Sequence, residues 1–168
     1  DLVRKHELMS SGPFQLLRAT YYRWALRWSQ VPQAVRSARE VLAVGDLHVE
    51  NFGTWRDLEG RLVWGINDFD EACRLPYTQD LVRLAASARL VSGTLQIDPE
   101  EAEGAILAGY QEGLEAGGRP FVLAEHWHAL WRVAMAQLRC PDEFWANVSR
   151  AGGFEVGAGR EPAEQLRH

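Results

Sequence analysis

Residues 41–71 read VLAVGDLHVENFGTWRDLEGRLVWGINDFDE, and this stretch decides the fold. Val41 to Val44 is a continuous apolar run closed by Gly45-Asp46, which predicts a buried strand. Phe52 to Trp55 predicts a second short strand. Asp57-Leu58-Glu59-Gly60 has turn chemistry, and Arg61 to Ile66 is the return strand of a hairpin. Segments 45–51 and 67–71 are then loops at strand ends, where a rigid sheet can position side chains that need not pack.

Those two loops carry most of the acidic and polar residues of interest. The spacing is Asp46-x-His48-x-x-Asn51, then sixteen residues, then Asp68-Phe69-Asp70-Glu71. A hairpin lays the loops side by side and brings Asn51 near Asp68. A carboxylate and a carboxamide oxygen on adjacent loops are hard ligands suited to Mg²⁺, which keeps waters and borrows further ligands from phosphates. Asp46 is then free to accept a proton from an attacking hydroxyl. A metal clamp with a positioned carboxylate is the set that phosphoryl transfer needs.

Outward from this centre the chain reads as helical. Residues 1–10 form a short helix ended by Ser10-Ser11-Gly12-Pro13, and Pro13 opens a second. In that second helix Phe14, Leu17, Tyr21, Trp24 and Trp28 recur at spacings of three and four, an apolar stripe closed by Pro32. Asp80 is expected to N-cap a helix with Leu81, Leu84, Ala85, Ala88 and Val91 on one face. Asp98-Pro99-Glu100-Glu101 is a helix start, Ile106, Tyr110 and Leu114 give its stripe, and Gly117-Gly118 stops it. Residues 120–138 predict another helix and 142–149 a short one. The expected organisation is one domain over 1–150 and a disordered tail over 151–168.

The bulk numbers fit an ordinary globular domain: 168 residues, 46% hydrophobic, 24% charged. A net charge of −5 argues against nucleic acid as a partner. No run of about 18 apolar residues exists, so no membrane span is expected, and the cytoplasm is the expected compartment. Cys73 and Cys140 have no CxxC spacing and are expected to be reduced thiols packed as small hydrophobes. Lys5 is the only lysine.

Gly45-Asp46-Leu47-His48-x-x-Asn51 resembles the catalytic loop of aminoglycoside phosphotransferases and related kinase-like enzymes, and Ile66-Asn67-Asp68-Phe69-Asp70 resembles their metal-binding segment. Asp80-Leu81 matches the acidic residue that caps a helix below that loop. HELMSSGPFQLLRATYYRWA, GDLHVENFG, NDFDEA and DLVRLAAS together resemble the bacterial family called domain of unknown function 2252. The likeness covers residues 2–95 in blocks and continues to about 148. It implies Asp46 as catalytic base, His48 as support of the loop, and Asn51 and Asp68 as holders of Mg²⁺ or Mn²⁺. Asp70, where kinases carry glycine, would add a metal contact together with Glu71. The fold implied is α+β, a kinase-like catalytic lobe that is mostly helical with a small hairpin bearing the site.

No strand–glycine-loop–strand segment followed by a lysine accompanies these motifs. Gly152-Gly153 and Gly157-Ala158-Gly159 lack flanking strands, and Lys5 sits in a helical context. The expectation is therefore a truncated chain: an ATP- and Mg-dependent phosphotransferase lobe acting on a small-molecule or protein hydroxyl, with ATP bound if the nucleotide lobe is supplied. Two other readings compete. One is a folded but inactive remnant. The other is a metallophosphoesterase, suggested by Gly45-Asp46-x-His48 but lacking the later ligand histidines of that class. His126 and His128, at i and i+2, read as two independent histidines.

Overall fold

The computed structural model describes residues 2–137. They form an α+β structure that divides after His126 into two units. The first unit contains α1 (Leu2–Ser10), α2 (Pro13–Ala19), α3 (Tyr21–Arg27), a 3-10 turn (Trp28–Gln30) and α4 (Gln33–Arg36). Next come β1 (Glu40–Ala43), a 3-10 turn (Val49–Asn51), β2 (Phe52–Arg56), β3 (Leu62–Ile66) and β4 (Cys73–Pro76). It continues through α5 (Tyr77–Leu95), α6 (Pro99–Glu115), β5 (Phe121–Val122) and α7 (Leu123–His126). Of the second unit, α8 (His128–Gln137) is described. The segment 142–149 and the tail 151–168 lie outside the described residues. Among the described residues, no helix is long and apolar enough to cross a membrane.

The strands amount to one long hairpin with an opening in its middle. At the tip β2 and β3 pair antiparallel with Phe52 opposite Ile66 and Arg56 opposite Leu62. At the base β1 and β4 pair antiparallel with Glu40 opposite Pro76 and Ala43 opposite Cys73. Between the ladders the two passes separate into loops 44–51 and 67–72. The tip is fixed by Asp57, whose Oδ1 accepts the N–H groups of Glu59 and Arg61 at 3.0 and 2.9 Å. Gly60 takes the positive φ of 76° that the turn requires.

The base ladder was not legible in sequence. Its first strand is not the buried strand expected: Leu42 is 79% exposed and only Ala43 is buried. Its partner, Cys-Arg-Leu-Pro, is four residues long and ends in proline, so it carries no alternation to read. Cys73 is exposed rather than packed; Cys140 lies outside the described residues.

Three helix readings change. The second helix breaks at Thr20, whose φ of −129° leaves the helical region while its hydroxyl donates to the Leu16 carbonyl at 2.6 Å. The 120–138 helix begins instead as β5, where Val122 pairs with Val63 at the edge of the tip sheet, followed by the turn-length α7. Asp80 is not an N-cap, since α5 starts three residues earlier at Tyr77. By contrast, Asp98 caps α6 as expected, accepting Glu100 and Glu101 N–H at 2.9 and 3.0 Å. Gly117 and Gly118 end it at φ values of 74° and 67°.

Candidate functional site

The opening in the hairpin is packed on α5, and the contact is polar. Gln79, Arg83, Ser87, Ala88 and Ser92 are the buried residues of that helix. Positions 79, 83 and 87 recur every four residues and so share one face. Asp80 accepts the backbone N–H of Val44 at 2.7 Å and of Gly45 at 2.9 Å, one on each carboxylate oxygen. Ser87 Oγ accepts from Val49 N at 3.1 Å and donates to Leu84 O at 2.7 Å. Asp80 and Ser87 together satisfy backbone groups that a loop entering the interior would otherwise leave orphaned. The apolar stripe expected on α5 is only partly covered, and Ala88 is its one fully buried member.

Arg83 is the largest fully buried side chain, 1% exposed. Its Nε donates to Asp46 Oδ1 at 2.7 Å, and Nη2 also reaches that oxygen. Nη2 donates in addition to Leu17 O at 2.8 Å. The guanidinium lies over the rings of Tyr21 and Trp24, 5.1 and 5.3 Å from their centroids. Asp46 is therefore not a free loop carboxylate, as the sequence reading had it: one oxygen is held, and its side chain is 25% exposed.

Asn51 joins the two loops. Its Nδ2 donates to the carbonyls of Asp46 and Asp68, both at 3.2 Å, and its Oδ1 accepts the Asp68 N–H at 2.9 Å. The Asn67 N–H donates to Asn51 O at 3.0 Å, closing the tip ladder. The expected juxtaposition of Asn51 and Asp68 is thus present, though made through backbone atoms. Gly45 lies where the first loop passes close to Glu71 of the second. At φ 87° a Cβ there would stand 2.6 Å from the Glu71 carbonyl oxygen, so a side chain is excluded.

His48 faces the core. It is 5% exposed, meets Phe14 edge-on with ring centroids 6.0 Å apart, and leaves Nδ1 buried without a partner. Burial lowers its pKa below the ordinary 6.5, with Arg18 and Arg83 adding to that and Asp46 opposing it. The unfolded chain therefore binds a proton that the folded chain resists, so stability is lost as pH falls through about 6.5. We expect His48→Leu to flatten the pH dependence of urea unfolding between about pH 5 and 7 relative to the native chain. Parallel curves would show that His48 titrates normally.

Asp68 and Asp70 are exposed, and Asp68 Oδ1 accepts the Asp70 N–H at 3.2 Å. Among the described residues no group of three or more His, Cys, Asp or Glu side chains converges. The Asp68 carboxylate fits a hard cation that takes one or two protein oxygens and completes its shell elsewhere. Asn51 fits less well: it is 4% exposed, with Oδ1 already accepting a hydrogen bond. His126 lies 4.9 Å from the Phe121 ring, tilted by 31°, and His128 lies 5.2 Å from the Trp131 ring.

Asp46 opens onto a cleft of about 670 Å³ that it shares with Lys5, Arg18, Tyr21, Tyr22 and Glu71. Burial, chiefly, pushes the Tyr21 phenol up to about 12, so it is protonated at neutral pH. Arg18 pairs with Glu50 at 2.5 Å. The sequence reading missed Arg83, Gln79, Ser87 and Tyr21, and it set Lys5 apart from the site. The available signal was a polar series at 79, 83 and 87, recurring every four residues along the helix.

Fold and site together define an α+β protein built on an interrupted hairpin whose two loops are tied by an asparagine and clamped by a buried arginine. Residues 1–136 match the family described as uncharacterized protein conserved in bacteria (DUF2252), and the chain belongs to this family. No curated protein and no solved structure matches it.

Proposed function

We propose that loops 44–51 and 67–72 form a kinase-like phosphoryl-transfer centre, with Mg²⁺ or Mn²⁺ and ATP as cofactors and a hydroxyl-bearing acceptor. The observation that carries this reading is the Asn51 tie, which holds the Asp46 loop and the Asp68 segment at a fixed separation. Asp46, with Oδ1 bound by Arg83, offers its other oxygen to orient the acceptor hydroxyl and take its proton. Asp68, with Asp70 beside it, holds the metal. When bound, the metal would neutralise charge on the transferring phosphate. Asp80 and Ser87 fix the backbone of the Asp46 loop, and His48 anchors it in the core.

Calorimetric titration with Mg²⁺ and ATP tests the reading. The native chain is expected to bind Mg-ATP, and Asp68→Ala to lose binding at least tenfold while its circular dichroism is unchanged. Equal binding by both, or none by a folded native chain, would overturn it. A second reading, a folded module without turnover, gains from the Asp46–Arg83 pair, because one oxygen of the proposed base is already occupied. Mg-ATP binding with no transfer to water or to added alcohols would favour that module.

A further inference from the structure

Arg83 also lines a cavity of about 540 Å³ to which Asp46 does not contribute, within the range of small-molecule sites. Its walls include Arg23, Trp24, Arg27, Trp28 and Gln30, with Arg83 among them, and none of its lining residues carries a carboxylate. That is unusual in a chain of net charge −5. Arg23 and Arg27 are four residues apart on α3, so their like charges lie on one face and oppose each other. Neither has an ion-pair partner among the described residues. The two indole rings stand 6.3 Å apart, tilted by 33°. Their N–H groups are buried without partners, so the wall is rich in donors and poor in acceptors.

We propose that this cavity binds a small organic anion with a planar aromatic body and one phosphate or carboxylate group. The guanidinium pair on α3 takes the anionic group, relieving its own repulsion, and the tryptophans take the ring. A simple inorganic anion would leave the aromatic wall unused, and a neutral aromatic would leave the two arginines unpaired. The site uses neither loop of the hairpin opening, so loss of Mg-ATP binding in Asp68→Ala leaves it intact.

The test follows tryptophan emission of the full chain during titration with phenyl phosphate, inorganic phosphate and benzyl alcohol. Phenyl phosphate is expected to quench saturably, with the other two at least tenfold weaker. The double variant Arg23→Gln/Arg27→Gln, both exposed positions, is expected to weaken phenyl phosphate at least tenfold, and Arg119→Gln to leave it unchanged. The site is overturned by absence of saturable phenyl phosphate binding or by undiminished binding in the folded double variant. Benzyl alcohol binding as tightly reduces it to an apolar groove, and inorganic phosphate binding as tightly reduces it to a diffuse basic patch; either outcome overturns it too.

Discussion

Replacing Asp46 by Ala is expected to destabilise the chain by about 3 to 5 kcal/mol, the range found when one partner of a buried ion pair is removed. The reason lies with Arg83. Its guanidinium is 1% exposed and always charged, and after the substitution it keeps only the Leu17 carbonyl and two aromatic faces. Asp46→Asn retains an acceptor oxygen but not the charge, so a smaller loss is expected. The double variant Asp46→Ala/Arg83→Met removes the stranded cation and is expected to recover much of the loss, giving a coupling energy of about 2 kcal/mol in a double-mutant cycle. Urea unfolding of the four chains measures this. A loss below about 1 kcal/mol for Asp46→Ala would place the pair in the range of exposed salt bridges and remove Arg83 as the clamp. The same measurement governs any activity assay, because a low rate in Asp46→Ala has meaning only in a chain shown to be folded.

Much of the tip was legible in the sequence, and the base was not. The Asp57–Gly60 turn and the short strand-like runs on either side of it located β2 and β3 because both are local signals. The β1–β4 ladder joins residues thirty or more positions apart, and nothing in Cys73–Pro76 declares a strand. That ladder turns two consecutive loops into one closed opening, so the shape of the site escaped the reading even though Asp46, Asn51 and Asp68 were singled out. The partners on α5 escaped for a different reason. Helical periodicity was read by counting apolar side chains, but the face that α5 turns to the site is polar, since it must satisfy Val44, Gly45 and Val49 N–H groups. Asp80 carries no mark of its role in the sequence, because an N-cap and a carboxylate gripping a neighbouring loop look alike in one dimension.

Asn51 offers the sharpest distinction between what the sequence proposed and what the geometry makes of it. A metal ligand and a loop tie respond in opposite ways to Asn51→Asp. For a hard cation the extra charge is favourable, so a ligand role predicts Mg²⁺ affinity kept or increased in a stable chain. For a tie, the substitution replaces the NH₂ group that donates to Asp46 O and Asp68 O with an oxygen facing those same carbonyls. It also buries a charge at a position 4% exposed. The expected result is a loss of about 2 to 4 kcal/mol without metal, from two missing hydrogen bonds and an unsatisfied buried anion. Burial raises the pKa of the introduced carboxyl above the ordinary carboxylate range, so the loss is greatest at neutral pH and shrinks as pH falls toward about 4, where a protonated oxygen can donate again. Thermal unfolding of native and variant chains at pH 7 and pH 4, with and without Mg²⁺, separates the two roles. A variant as stable as the native chain at pH 7 would return Asn51 to the metal. A loss that narrows at pH 4 would make it the residue that holds the Asp46 and Asp68 loops together, and would leave Asp68 and Asp70 as the oxygens available to a cation.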